Sequence, residues 1–326
     1  MIKGLELSHK YYSEFGIPMI KNRFPQYENR IAVGLAGNGS ECFGFDDEIS
    51  EDHDFGPSFC MWLTTDDFES IGQKLMQSYN ELPKEYMGYK RIVSAHGLGR
   101  VGAMKIGDFY RSFTGNETAD LQLAEWLYIP EHFLAAATNG QVFRDDLGEF
   151  SRIRSALLSY YPEDVRIKKI AARAATIAQS GQYNYSRSMR RKETVAARLS
   201  LDEFIRNTIS IVYLLNKKYT PFYKWMHRGM EGFVILSEIR GKLEELINIP
   251  VQKEAWDISA VHNWENKLNT EDKAVVLIED ICVRIVKELQ KQGLTDKEDP
   301  FLDNHTSSIM SHIKDRQLRA MHVMRG

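Results

Sequence analysis

The stretch that most constrains this chain is residues 31–63, IAVGLAGNGSECFGFDDEISEDHDFGPSFCMWL. An apolar run, Ile31 to Ala36, breaks at Gly37-Asn38-Gly39-Ser40. An acidic loop follows and ends in Asp52-His53-Asp54, and a second apolar run, Phe59 to Leu63, leads away. The pattern predicts strand, glycine turn, acidic loop, strand. On extended backbone, a period of two puts the Asp52 and Asp54 carboxylates on one face and His53 on the other.

Seven carboxylates lie between Glu41 and Asp54 with no Lys or Arg among them. Two carboxylates ~4 Å apart repel by roughly 1 to 4 kcal/mol, depending on the local dielectric. A folded chain keeps such a pair when a cation compensates it. Hard oxygen donors suit magnesium, which keeps waters and takes phosphate oxygens as further ligands. Gly39 and Ser40 supply the complement, because glycine lets backbone amides approach a phosphate and the hydroxyl adds a donor. The plain alternative is a solvated acidic turn. A calcium loop is a poorer one, since the alternating Asp/Asn, central Gly and terminal Glu of an EF-hand are missing.

Gly39-Ser40, eleven residues, then Asp52-x-Asp54 resembles the signature of nucleotidyltransferases of the DNA polymerase beta type. The longer run GSECFGFDDEISEDHDFGP resembles an uncharacterised bacterial family of that superfamily, a domain of unknown function with a helical C-terminal half. The resemblance continues through Trp126, Ile129-Pro130-Glu131, Val142-Phe143-x-Asp145 and Tyr219-x-Pro221-x-Tyr223-Lys224-Trp225, over residues 5–230. It implies Asp52 and Asp54 as catalytic ligands of Mg2+ or Mn2+, and Gly39 and Ser40 as the cradle of an NTP's phosphates. It also implies a third carboxylate on a strand beside the Asp pair, as second metal ligand or base. Glu125 is the candidate, in an expected strand at 121–127, with Asp120 as runner-up.

The rest of the chain bounds this reading. Its 326 residues predict two domains, with the boundary near 160–162. Hydrophobic and charged contents of 43% and 27% are ordinary for a globular protein, and a net charge of −3 does not advertise nucleic-acid binding. Cys42, Cys60 and Cys282 have no metal spacing and form an odd count, which fits a reducing compartment. No secretory h-region or run of about 20 apolar residues is present, so a cytoplasmic protein without a membrane partner is expected.

Along the chain, helices are expected at 5–24 (broken near Gly16 and Pro18), 64–79 and 129–138, with a short strand at Val142-Phe143. Residues 88–118 are loop-rich, with a strand near Arg91 and a helix near Phe109. Beyond 160 only helices are expected: 164–179, one opened by a Ser200-x-x-Glu203 capping box, one within 222–247, an amphipathic helix at 271–290 closed by Gly293, and a last helix at 306–323. The expected fold class is a small mixed-sheet α/β domain, 1–160, followed by an all-helical bundle, 161–326, with the active site in the cleft between them.

Two features of the bundle bear on nucleotide binding. Between 165 and 200 lie nine basic residues, including Arg187, Arg190, Arg191 and Arg198, against one acid, Glu193. They suit a triphosphate or a nucleic-acid backbone, or form a solvated helical face. Tyr223 and Lys224, beside Trp225, suit a nucleobase and its phosphates, or pack as an aromatic junction. The expected activity is transfer of a nucleoside monophosphate from an NTP, ATP in the first instance, to an acceptor hydroxyl of unknown identity. The alternative is a catalytically weak nucleotide-binding or regulatory protein of the same fold.

Overall fold

The structure is a computed structural model that describes residues 2–52, 55–91, 99–256 and 268–326; of Glu51 and Asp52 it describes the backbone alone. The chain divides into two compact units, Met1–Gln122 with Ile129–Tyr160, and Leu123–Tyr128 with Tyr161–Gly326.

In the first unit the helical signal of residues 5–24 resolves into α1 (Gly4–Tyr11) and α2 (Ile17–Arg23), joined by a π-helical turn over Tyr12–Gly16. Then come β1 (Ala32–Leu35), α3 (Ser40–Phe43), β2 (Cys60–Leu63) and α4 (Thr65–Asn80). Thr64 caps α4, its hydroxyl accepting from Asp67 N, where the Thr-Asp-Asp signal places the start. A two-residue hairpin, β3 (Glu85–Tyr86) and β4 (Tyr89–Lys90), precedes β5 (Gly102–Lys105) and α5 (Ile106–Thr114). After α6 (Leu123–Tyr128), which belongs to the second unit, α7 (Glu131–Thr138), β6 (Gln141–Arg144) and α8 (Glu149–Leu158) complete the first.

Four strands form one mixed sheet in the order β5-β2-β1-β6. β1 runs antiparallel to β2 and β6, and β2 parallel to β5. The period of two in FCMWL decides what each face buries. Phe59, Met61 and Leu63 join Tyr11, Ile20, Val33, Leu75 and Tyr79 in one core cluster. Trp62 points the other way, stacking on Phe150 of α8 with ring centroids 3.9 Å apart and meeting Phe109 of α5 edge-on at 5.5 Å. Each such buried side chain contributes roughly 1.5–3 kcal/mol.

The second unit packs around α9 (Glu163–Ile177), whose Ala171, Ala172, Ala174 and Ala175 are all buried. Small side chains let neighbouring helices approach on several sides. A π-helical stretch, Ala178–Tyr185, carries it into α10 (Ser186–Arg190). α11 (Thr194–Leu215), α12 (Ile239–Asn248), α13 (Lys273–Lys291), α14 (Thr306–Ser311) and α15 (Arg316–Ala320) follow. The α13 periodicity is realised in full: Ala274, Leu277, Ile278, Ile281, Ile285 and Leu289 are buried, and Gly293 ends the helix at φ 69°. Among the described residues, no helix is long and apolar enough to cross a membrane. The fold class is thus a small mixed sheet with helices and a helical C-terminal half.

Four expected elements differ. The acidic loop is not extended where it reaches Asp52: Glu48–Asp52 form a 3-10 turn, so the period of two does not apply there. Residues 121–127 form no strand; α6 is a helix, with Trp126 and Leu127 buried and Trp126 edge-on to Tyr161 at 5.7 Å. The alternating apolar positions of LQLAEWL also fit a helical 123/126/127 face, and packing against α9 selects it. Ser200 is not a cap but an interior residue of α11, because residues 194–199 already have helical neighbours to propagate from. The expected last helix is two short ones, α14 and α15. β5 was not expected at all: Gly-Ala-Met-Lys has little strand character, and pairing with β2 creates it.

Candidate functional site

The sheet register determines what meets at one of its ends. Gly34 pairs with Cys60 and Leu35 with Gln141, while Cys60 pairs with Gly102. The C-terminal end of β1 and the N-terminal ends of β2, β5 and β6 therefore coincide. Four connections converge there: the 37–40 turn, the segment entering β2 from Phe55, the approach to β5 through Arg100, and Asn139 with Gly140 ahead of β6.

The turn is built for close approach. Gly37 and Gly39 adopt φ of 108° and 130°, in the region that favours glycine. Asn139 holds Gly37 from both sides: Gly37 N donates to Asn139 Oδ1 at 2.8 Å, and Asn139 Nδ2 donates to Gly37 O at 2.7 Å. Gly140 N donates to Cys42 O at 2.8 Å. Arg154 in turn donates to the carbonyls of Thr138, Asn139 and Gly140 at 2.6, 2.9 and 3.3 Å. The Asn-Gly pair that ends α7 thereby clamps the glycine turn, a role its sequence context does not signal.

Ser40 opens α3, is half-buried, and its hydroxyl makes no hydrogen bond among the described residues. Beside it, Glu41 is buried and forms an ion pair with Arg100. Burial raises the Glu41 carboxyl above its usual range, and the Arg100 guanidinium pulls it back. A Cβ on Gly39 would collide with the Arg100 guanidinium and come within 2.6 Å of both Glu41 carboxylate oxygens, so the ion pair lies directly over this glycine. Arg100 also lines a cavity of about 260 Å³ with Gly37, Asn38, Phe109, Ser112 and Asp108. Burial pushes the Cys60 thiol up to about 12 and Cys42 well above its ordinary value, so neither is a nucleophile at neutral pH.

The acidic loop is less bare than its sequence. Arg100 compensates Glu41, and Lys3 lies 3.8 Å from Asp46 Oδ1. Asp46, fully buried, accepts from Gly4 N at 2.8 Å and ties the start of α1 to the loop. Asp47 accepts from Ile49 N at 3.2 Å and from Ser50 Oγ at 3.0 Å. The absence of basic residues within the loop is thus corrected from a distance in sequence. Asp54 and the Asp52 side chain, the expected metal ligands, lie outside the described residues; Asp54 directly precedes Phe55 on the way into β2. Among the described residues, no group of three His, Cys, Asp or Glu is placed to hold a metal.

Glu125 does not sit on a strand. It lies on α6, exposed, in the second unit, and Asp120 is exposed just ahead of that helix. The strand beside β2 is β5, which carries no carboxylate. The other expected binding residues are all in the second unit. Arg187 stacks on Tyr183, its guanidinium carbon 4.7 Å from the ring centroid, and Arg191 is exposed. Tyr223 is 68% exposed, and Lys224 Nζ lies 4.7 Å from the Trp225 ring centroid. The first half of the basic run is internal. Arg166 pairs with Glu163, Lys168 donates to the carbonyls of His322 and Val323, and Lys169 lies over the Tyr161 ring.

A family model described as a domain of unknown function, DUF4037, matches residues 126–226. No curated protein matches the chain. A solved structure described as a nucleotidyltransferase-like protein from Exiguobacterium sibiricum 255-15 aligns over 91% of this chain and 89% of its own, at 10% identity and a TM-score of 0.32.

Proposed function

We propose that the protein is a metal-dependent nucleotidyltransferase of the DNA polymerase beta type, which moves a nucleoside monophosphate from an NTP to an acceptor hydroxyl. The observation that carries the reading is the convergence at one sheet end of the 37–40 turn, Arg100 and the segment entering β2 immediately after Asp54. In this reading the backbone of the turn and the Ser40 hydroxyl hold phosphate oxygens, and the Asn139 clamp keeps the amides aimed without the ligand's help.

Asp52 and Asp54 would hold magnesium, since they offer carboxylate oxygens alone, the donor type that ion takes. Bound magnesium would supply charge neutralisation for the phosphates. The acceptor oxygen forms a bond to the α-phosphorus and gives up its proton to water, the bond from α-phosphorus to the bridging oxygen breaks, and pyrophosphate leaves. Tyr223, Lys224, Arg187 and Arg191 belong to the reading as nucleotide contacts, being exposed groups of the right chemistry: an aromatic face and three cations.

One observation favours the alternative of a nucleotide-binding protein with weak turnover. β5, the neighbour of β2, brings no third carboxylate to take the acceptor's proton. Pyrophosphate release from the four NTPs with magnesium, against a panel of hydroxyl acceptors, separates the two. Release that disappears in Asp52→Asn/Asp54→Asn supports the transferase. Magnesium-dependent NTP binding without release under any acceptor supports the alternative, and absence of both binding and release rules out the pair.

A further inference from the structure

Arg100 carries no signal in the sequence: it stands in a glycine-rich stretch outside every motif. Its position is nevertheless tightly specified. Gly102 N donates to Phe59 O at 2.9 Å, and Cys60 Sγ to Arg100 O at 3.3 Å, so its backbone is fixed to the start of β2. The guanidinium reaches back over Gly39, where a Cβ would collide with it, and meets Glu41 there. One side of it faces Glu41, and its residue also borders the cavity beside Gly37 and Asn38. A guanidinium placed over backbone amides at a glycine turn is what a polyphosphate needs: two fixed forks of donors beside N–H groups.

We infer that Arg100 is a polyphosphate-binding residue of this site, and that Glu41 is its internal counterion, holding the guanidinium over Gly39 until a phosphate chain replaces the carboxylate. This rests on the nucleotidyltransferase reading and deepens it by assigning the cation for the substrate's phosphates. The exchange is favourable because a phosphate group presents more charge and more acceptor oxygens to the guanidinium than one carboxylate does. Glu41, losing its cation in the exchange, takes up a proton from solvent, because a buried unpaired carboxylate would repel the phosphate chain. Paired with Arg100, Glu41 keeps the guanidinium oriented, and it competes with the ligand for it.

The test is calorimetric titration of α,β-methylene-ATP with magnesium, and of inorganic tripolyphosphate, into wild type, Arg100→Ala, Arg100→Lys and Glu41→Gln, with melting temperatures measured alongside. Arg100→Ala is expected to weaken both ligands by about ten- to a hundredfold. Arg100→Lys keeps the charge, loses the fork, and is expected to fall between. Glu41→Gln is expected to tighten binding by about three- to tenfold while lowering the melting temperature. A merely structural ion pair predicts the opposite sign: Glu41→Gln would bind no more tightly than wild type, and that outcome overturns the inference, as does wild-type affinity in Arg100→Ala. In either of those cases the nucleotidyltransferase reading stands as long as wild type binds the nucleotide. If folded wild type binds neither probe, that reading fails and takes the inference with it.

Discussion

Arg100 and Lys168 are two cations with opposite fates. Lys168 stands in the densest basic run of the chain, yet it is fully buried on α9, its ammonium bonded to the carbonyls of His322 and Val323. Arg100 stands among glycines, yet it lies over the 37–40 turn beside a cavity. Charge density along a sequence therefore says little about which cations a ligand can reach. A helix packed on several sides, as α9 is, turns some of its basic residues inward, where backbone carbonyls and carboxylates satisfy them. A single arginine at a strand entry is presented by the sheet.

The strongest way to break this contrast lies with the loop that Arg100 serves. Asp52→Asn/Asp54→Asn is expected to lower pyrophosphate release by at least about a thousandfold and to abolish any magnesium-dependent rise in melting temperature with NTP, while leaving the fold intact. An unchanged rise would remove the metal from the site, and with it the reason for a phosphate cation nearby.

Lys168→Met comes next, on the other side of the contrast. It takes the donor from two part-buried carbonyls, so denaturant unfolding should show a loss of about 1–3 kcal/mol, with NTP affinity within about twofold of wild type. An affinity loss larger than that would make the α9 cations part of a ligand site after all. The same pair of proteins carries a pH test. Burial, with a smaller contribution from Arg325, lowers the Lys168 amine from its ordinary 10.5 to about 8. Between those values the unfolded chain holds a proton that the folded chain has released, so the contribution of Lys168 to stability rises with pH. The wild-type advantage over Lys168→Met should grow between pH 8 and 10, by up to about 1.4 kcal/mol per pH unit. A flat or falling difference would place the charged amine comfortably inside the protein.

Lys224→Ala sharpens the contrast for an exposed cation of the second unit. It is expected to weaken NTP binding by about three- to tenfold at low salt and by less at 0.5 M salt. Equal affinities at both salts would return Lys224 to an ordinary solvated side chain. The smallest expected effect is Glu125→Gln. On an exposed face of α6, it should alter turnover by less than about threefold, and a hundredfold loss would restore the role of base to it.

Periodicity was the most legible signal. α13 and α4 could be read because their apolar residues repeat at helical spacing and one face of each is buried, so local pattern and tertiary burial agree. The glycine turn was legible for a related reason: an N-G-S break after an apolar run has few backbone solutions. α6 was misread because six residues contain too few repeats to separate a period of two from 3.6, and a packing partner decided between them. Arg100, Asn139 and Arg154 were invisible as site residues. Asn139 acts on Gly37 and Arg100 on Glu41 from tens of positions away, and Arg154 acts on carbonyls 14 to 16 residues back in the chain.

The acidic segment between β1 and β2, expected as loop, holds α3 and a 3-10 turn over Glu48–Asp52. Local sequence sets the two flanking strands and the glycine turn, the mixed-sheet unit followed by helices, and the apolar stripes that build both cores. These are local properties, set by side-chain period, glycine freedom and chain direction. Packing and register set which charges are buried in the fold and which border a cavity or solvent. Tertiary structure turned Lys168 inward, brought Arg100 across to Glu41, created β5 by pairing it with β2, and moved Glu125 from an expected strand to a helix. The physical reason is that burial and ion pairing depend on distance in space, which strand register and helix packing set and local sequence does not.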